Sequence, residues 1–140
     1  VNARVAIVGQ VRETITMKQK VLIAEDHTIL RAGLRAMLAS DPELEVVGEA
    51  DNGRDAIRAV GQLTPHLVLM DLTVPGAMGG REATETLRRI DPGVKVIVSS
   101  GYSSDPIMAN YRSHGFCGCV AKPYRVRDLT QTLREHLSGH

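Results

Sequence analysis

Four short stretches end in side chains that could do chemistry together. "VLIAEDH" (21–27) closes an apolar run with Glu25 and Asp26, and "LVLMD" (67–71) closes one with Asp71. "VKVIVSS" (94–100) ends in Ser99 and Ser100, and "GFCGCVAKPY" (115–124) carries Lys122 after its apolar residues. A carboxylate at the end of a buried strand is costly unless something pairs with it. Three clustered carboxylates stay ionised at neutral pH only beside a compensating cation. An oxygen donor set favours a hard ion, and Mg2+ accepts one or two carboxylates together with water and phosphate oxygens. Lys122 adds a point charge and Ser100 a hydroxyl. This set suits phosphoryl transfer, in which the protein mainly positions groups and neutralises charge. A carboxylate can also be the nucleophile itself, giving an acyl phosphate. Taken singly, each residue has an ordinary reading: Asp71 and Glu25–Asp26 as caps, Ser100 as an unremarkable hydroxyl, Lys122 as a solvated charge. The chemical reading rests on their falling together, each at its own strand end.

The elements that must position them follow from periodicity. Strands are expected at 21–24, 44–50, 67–71 and 94–100, with a short one inside 115–124. Helices are expected from Thr28 to near Ser40, then at 52–63, 81–90, 105–114 and 126–137. Their apolar stripes include Ile29, Leu30, Leu34, Met37 and Leu38 in the first, and Ala56, Ile57, Val60 and Leu63 in the second. Ala83, Leu87 and Ile90, then Ile107, Met108 and Tyr111, then Val126, Leu129, Leu133 and Leu137 serve the others. Five strands alternating with five helices imply a doubly wound parallel sheet with right-handed crossovers and helices on both faces. Nearly continuous apolar strands fit a sheet covered on both sides. In such a sheet ligands sit outside the carboxyl ends of the strands, so the four stretches meet at one edge.

Composition bounds the rest. The chain has 140 residues, is 43% hydrophobic and 24% charged, and carries a formal net charge of +1. One domain is the natural count, and nothing in the charge points to nucleic acid or an anionic membrane. No apolar run is long enough to span a bilayer. Residues 17–140 are expected to form the domain, and residues 1–16 an extension or linker. Cys117 and Cys119, one residue apart, would face the same way in an extended segment and lie too close for a relaxed disulfide. They read as small, partly buried side chains in a reducing, cytoplasmic setting.

The pieces "VLIAEDH", "LVLMDLTVPG", "VIVSSG" and "AKPY" resemble the receiver domain of bacterial two-component response regulators. The resemblance covers about residues 20–137. It implies a flavodoxin-like (CheY-like) fold with strand order 2-1-3-4-5. It implies that Asp71 is the phospho-acceptor and that Mg2+, or another divalent cation, is held by Asp26, Asp71 and the backbone carbonyl of Thr73, with Glu25 acting mainly through water. Ser100 matches the switch hydroxyl and Lys122 its partner lysine, with a cis bond to Pro123. Implied partners are a sensor histidine kinase or phosphotransfer domain and an output partner or attached output domain; a homodimer is also open. "EDHTILRAGLRAMLASDPELEVVGEADNGRDAI" is similar to regulators with a helix-turn-helix output domain. "DLTVPGAMGGREA" and "VIVSSGYSSDPIMANYRSHGFCGCVAKPY" look like receivers of hybrid sensor kinases.

The chain departs from this pattern at Cys119, where the family often has a Tyr or Phe acting as an aromatic switch. Pro75 and Gly76 are read as turning the loop after Asp71, and Tyr102 as hindering the water that removes the phosphoryl group. Three rival readings each fail on a particular feature of the chain. A haloacid-dehalogenase-type phosphatase needs a second acid two residues after the nucleophile, and that position is Thr73. A flavodoxin-like cofactor binder needs a phosphate-cradling loop where "EDHT" places negative charge. A receiver that works without phosphorylation would not need the intact set of acids, hydroxyl and lysine.

Overall fold

The computed structural model describes residues 18–71, 80–100 and 106–138. Residues 1–17, 72–79, 101–105 and 139–140 lie outside the described residues, and with them Thr73, Pro75, Tyr102 and the extension. The elements run in order β1 (Gln19–Ala24), α1 (Thr28–Ala39), β2 (Leu44–Ala50), α2 (Gly53–Leu63) and β3 (Leu67–Asp71). They continue with α3 (Gly80–Ile90), β4 (Lys95–Ser100), α4 (Pro106–Ala109), a 3-10 turn (Tyr111–His114), β5 (Gly118–Ala121) and α5 (Val126–Ser138). All strand pairs are parallel, in the order β2-β1-β3-β4-β5.

Alternation along the strands splits the core into two layers. Leu22, Val68, Met70, Val96 and Val98 join Ala56 and Val60 of α2 and Ala83 and Leu87 of α3. Val21, Ile23, Leu67, Leu69 and Ile97 join Leu34 and Leu38 of α1 and Leu129 and Leu133 of α5. β3 is buried along its whole length because both its faces are covered. That burial delivers Asp71 to the central carboxyl edge.

Local signals set the boundaries. Asn52 caps α2, its side chain accepting from Asp55 N at 2.8 Å. Asp41, just past α1, accepts from Glu43 N at 2.9 Å and from Arg134 of α5 at 2.8 Å. β1 slips against β2 between Val21 and Leu22, which leaves Val47 as the extra residue of a bulge.

The structure corrects four expectations. The helix expected over 105–114 is instead α4 followed by the 3-10 turn. The Asn110 carbonyl accepts both Ser113 N (3.1 Å) and Ser113 Oγ (2.8 Å), which tightens the chain there, and Gly115 ends it at φ 92°. Ile29 is 88% exposed: it sits about 140° around α1 from Leu34 at ~100° per residue. Leu63 and Ile90 in the last positions of α2 and α3, and Val126 in the first of α5, are exposed too, because helix ends overrun the layer they pack on. The two cysteines do not share a face. β5 begins only at Gly118, so Cys117 packs with the α1/α5 layer and Cys119 with the α2/α3 layer.

Candidate functional site

The carboxyl edge brings together Glu25, Asp26, Asp71, Ser100 and Lys122, as their strand ends require. Glu25 and Asp71 are each 1% exposed, Ser100 likewise, while Asp26 is half-buried. Glu25 is pinned at the end of β1 by its N–H, which donates to Ala50 O at 2.9 Å, and by Arg31, which donates to its carbonyl at 2.7 Å. Asp71 is paired in register with Ser99 of β4, and Ser100 with Ala121 of β5. Lys122 follows β5 directly, and its backbone N–H donates to Ser100 O at 2.9 Å. Its peptide bond to Pro123 is cis, as the resemblance implied.

Lys122 Nζ donates to Asp71 Oδ2 at 2.8 Å and to Glu25 Oε1 at 3.0 Å. One ammonium thus serves two buried carboxylates. Burial opposes the Lys122 charge, but the hydrogen bonds and charges of Asp71 and Glu25 outweigh it and hold its pKa above the ordinary lysine value. Burial, then the neighbouring Asp71, push the Glu25 carboxyl above its ordinary range, against the pull of His27 and Lys122.

His27 was not foreseen as part of the site. Its N–H donates to Glu25 Oε2 at 3.2 Å, and its Nδ1 lies 3.1 Å from that oxygen and 3.2 Å from Asp26 Oδ1. The Glu25 hydrogen bond, then the Asp26 charge, raise the His27 pKa. The signal available in the sequence was adjacency: "EDH" closes β1 with three potential ligands in a row. Tyr124 was missed as well. Its hydroxyl shares a hydrogen bond with Ser99 Oγ on the α1/α5 side of the sheet, next to Asp71. Cys119 stands half-buried on the other side, and burial raises its thiol pKa.

Donor atoms from Glu25, Asp26, His27 and Asp71 all lie within 4.8 Å of one another. Asp26 Oδ1 is buried and accepts no hydrogen bond of good geometry from the described residues, with only the His27 Nδ1 charge contact at 3.2 Å beside it. Three carboxylates face one ammonium. Both observations fit a divalent cation held by hard oxygen donors.

A family model described as the response regulator receiver domain matches residues 21–134. The chain is 38% identical over 120 residues to response regulator GacA of Pseudomonas aeruginosa, covering 86% of this chain and 56% of that protein. It is 34% identical over 119 residues to response regulator UvrY of Escherichia coli K12, covering 85% and 54%. The chain thus spans about half the length of the curated relatives it matches. Among solved structures, a LuxR-family two-component response regulator from Aurantimonas aligns with a TM-score of 0.81 at 30% identity, covering 88% of this chain and 87% of that one. The isolated REC domain of RcsB from Salmonella enterica serovar Typhimurium, solved in the presence of phosphomimetic BeF3−, aligns with a TM-score of 0.79 at 27% identity, covering 87% and 90%.

Proposed function

This chain belongs to the response regulator receiver domain family, and from that premise we propose that Asp71 is its phospho-acceptor. It is a signalling domain of the kind that receives a phosphoryl group from a sensor kinase and switches to regulate an output. The observation that carries the Asp71 reading is its carboxylate: 1% exposed, at the end of the central strand, and 2.8 Å from Lys122. No other described carboxylate combines that burial with that position.

An Asp71 oxygen bonds to phosphorus as the phosphorus–nitrogen bond of a phosphohistidine breaks, and the electron pair returns to the donor imidazole. Lys122 then transfers its hydrogen bond to a phosphoryl oxygen, and the Ser100 hydroxyl donates to another. Asp26 and Asp71, with Glu25 beside them, would hold a divalent cation, best read as Mg2+, and the family resemblance adds the Thr73 carbonyl as a further donor. When bound, that cation supplies charge neutralisation for the incoming phosphoryl oxygens. The shift of Ser100 and Lys122 biases the sheet edge between two states.

The finer readings are proposals of the same kind. The donor is a histidine kinase or phosphotransfer domain, and the setting is cytoplasmic. The chain is an acceptor that catalyses its own transfer and hydrolysis rather than an enzyme acting on others. Residues 17–140 form the domain and 1–16 a linker or extension. No described helix is long and apolar enough to cross a membrane. The test is acetyl phosphate with Mg2+, read by intact mass. Wild type gains one phosphoryl group and Asp71→Asn gains none; wild type without added mass sinks the reading.

A further inference from the structure

Lys122 is the most mobile kind of side chain in the site, a point charge on a flexible stem. What aims it is therefore the backbone that carries it. That backbone is tied to β4 on both sides. Before the side chain, Lys122 N–H donates to Ser100 O at 2.9 Å. After it, Tyr124 shares its hydroxyl hydrogen bond with Ser99. Ser99 is 1% exposed and is register partner to both Asp71 on β3 and Val120 on β5. The Tyr124 ring packs against the α1/α5 layer, and its phenol lies near enough to Lys122, Glu25 and Asp71 to feel their charges. Where the family often has an aromatic residue on the opposite side of β5, this chain has Cys119.

We propose that Tyr124 is a positioning residue for the phosphoryl-transfer site: through its hydrogen bond to Ser99 it fixes the segment that aims Lys122 at Asp71. A buried serine hydroxyl and a half-buried phenol on one sheet face would each cost folding energy if left unpaired. Here they satisfy each other across the β4–β5 boundary, and the residue between the two ties is the one that neutralises Asp71. The inference rests on Asp71 being the phospho-acceptor.

The test compares wild type with Tyr124→Phe, Ser99→Ala, the double variant and Ser99→Thr. Two readouts are taken: the rate of phosphorylation by acetyl phosphate with Mg2+, and the solvent exchange of the Lys122 ammonium by 15N NMR without phosphate. Tyr124→Phe and Ser99→Ala should each slow phosphorylation about fivefold, the worth of one net hydrogen bond, and speed Lys122 exchange. The double variant should be no worse than either single one, and Ser99→Thr, which keeps the hydroxyl, should recover the wild-type rate. Wild-type rates with an unchanged Lys122 signal overturn the proposal. So does a slower rate accompanied by a lower Tm with Lys122 exchange unaltered, which marks a merely structural contact. Should Tyr124→Phe fail to fold, the Ser99→Ala and Ser99→Thr pair decides by the same readouts. Should wild type take up no phosphoryl group, the acceptor reading fails, and Lys122 exchange still decides whether Tyr124 positions that ammonium.

Discussion

The Lys122 ammonium lies 2.8 Å from Asp71 Oδ2, joining the end of β5 to the end of β3 across 51 positions of sequence. Asp71 is 1% exposed and the Lys122 side chain 18%, so solvent screens this pair little. Removing the cation leaves Asp71 and Glu25 buried without their shared donor. Lys122→Met should therefore cost about 3–5 kcal/mol, the range for breaking a buried pair from one side. The Lys122 pKa is raised on folding. Its contribution is therefore complete below the ordinary lysine value and is lost as pH rises through the higher folded one. Denaturant titrations should show the wild-type advantage over Lys122→Met shrinking in that alkaline window. An equal gap at all pH values would refute the assignment.

Asp26 Oδ1 is the buried acceptor left over once Lys122 and His27 have been assigned. A divalent cation should raise the Tm of wild type, by up to about 2.7 kcal/mol of stability when present at ~100 times its Kd. Asp26→Asn should abolish that rise while costing the metal-free protein little, because it relieves the crowding of three carboxylates and gives up only the exposed His27 contact at 3.2 Å. Glu25 sets the pH dependence. Its folded pKa is raised by burial, so its own contribution to metal-free stability is greatest below the ordinary glutamate value and falls as pH rises through the raised one. A bound cation should offset that fall, making the metal-induced shift grow with pH. Thermal melts with EDTA or Mg2+ across that range check the sign.

The edge chemistry was legible because each reacting residue closes an apolar run, and a strand that stops on a carboxylate is a local signal. The same locality explains the failures. Tyr124 and Ser99 are 25 residues apart, and their contact exists only because β4 and the segment after β5 share a sheet face. No periodicity records that. The apolar spacing through Ile107, Met108 and Tyr111 is compatible with one helix, yet the competition of Ser113 for the Asn110 carbonyl breaks it. Ile90 continues a correct stripe one turn past the layer it would need to reach, so its pattern is right and its burial wrong.

Arg134 on α5 donates to both carboxylate oxygens of Asp41 at the end of α1, with Nη2 at 2.8 Å from Oδ1. Asp41 is buried and Arg134 half-exposed, so solvent screens the pair, and Arg134→Ala should be only mildly destabilising. The arginine hydrogen bond holds the Asp41 pKa below the ordinary aspartate value. That stabilisation is complete above the ordinary value and is lost as pH falls through the depressed one. Wild type and Arg134→Ala should therefore converge in strong acid and differ at neutral pH. A constant difference would mean the contact acts by packing alone.

Tyr102 follows Ser100 by two residues in the sequence. Its ring is expected to obstruct the water that hydrolyses the acyl phosphate. Tyr102→Ala should shorten the half-life of phosphorylated protein, timed by intact mass after the phosphoryl donor is removed. An unchanged or longer half-life counts against it.

Two glycines on the opposite edge strands of the sheet should respond unequally to an added methyl group. At Gly118 a Cβ would stand 2.6 Å from the His136 ring. That ring cannot swing away cheaply: Nδ1 is 2.8 Å from Thr132 O, and the His136 carbonyl accepts from Lys95 Nζ. At Gly48 the nearest atom is also at 2.6 Å, but it is the terminal Cδ1 of Leu63, a side chain at the exposed end of α2 that can change rotamer. Gly118→Ala should destabilise by about 1–3 kcal/mol, the usual cost of overpacking, and His136→Ala introduced beside it should return most of that. Gly48→Ala should cost less: the Leu63 tip can yield, the buried Leu22 Cδ1 at 3.2 Å need give only a few tenths of an ångström, and a strand glycine gives up backbone entropy on folding. Paired urea titrations of the three variants decide the matter, and equal losses at the two glycines would show that the His136 ring is as free to move as the Leu63 tip.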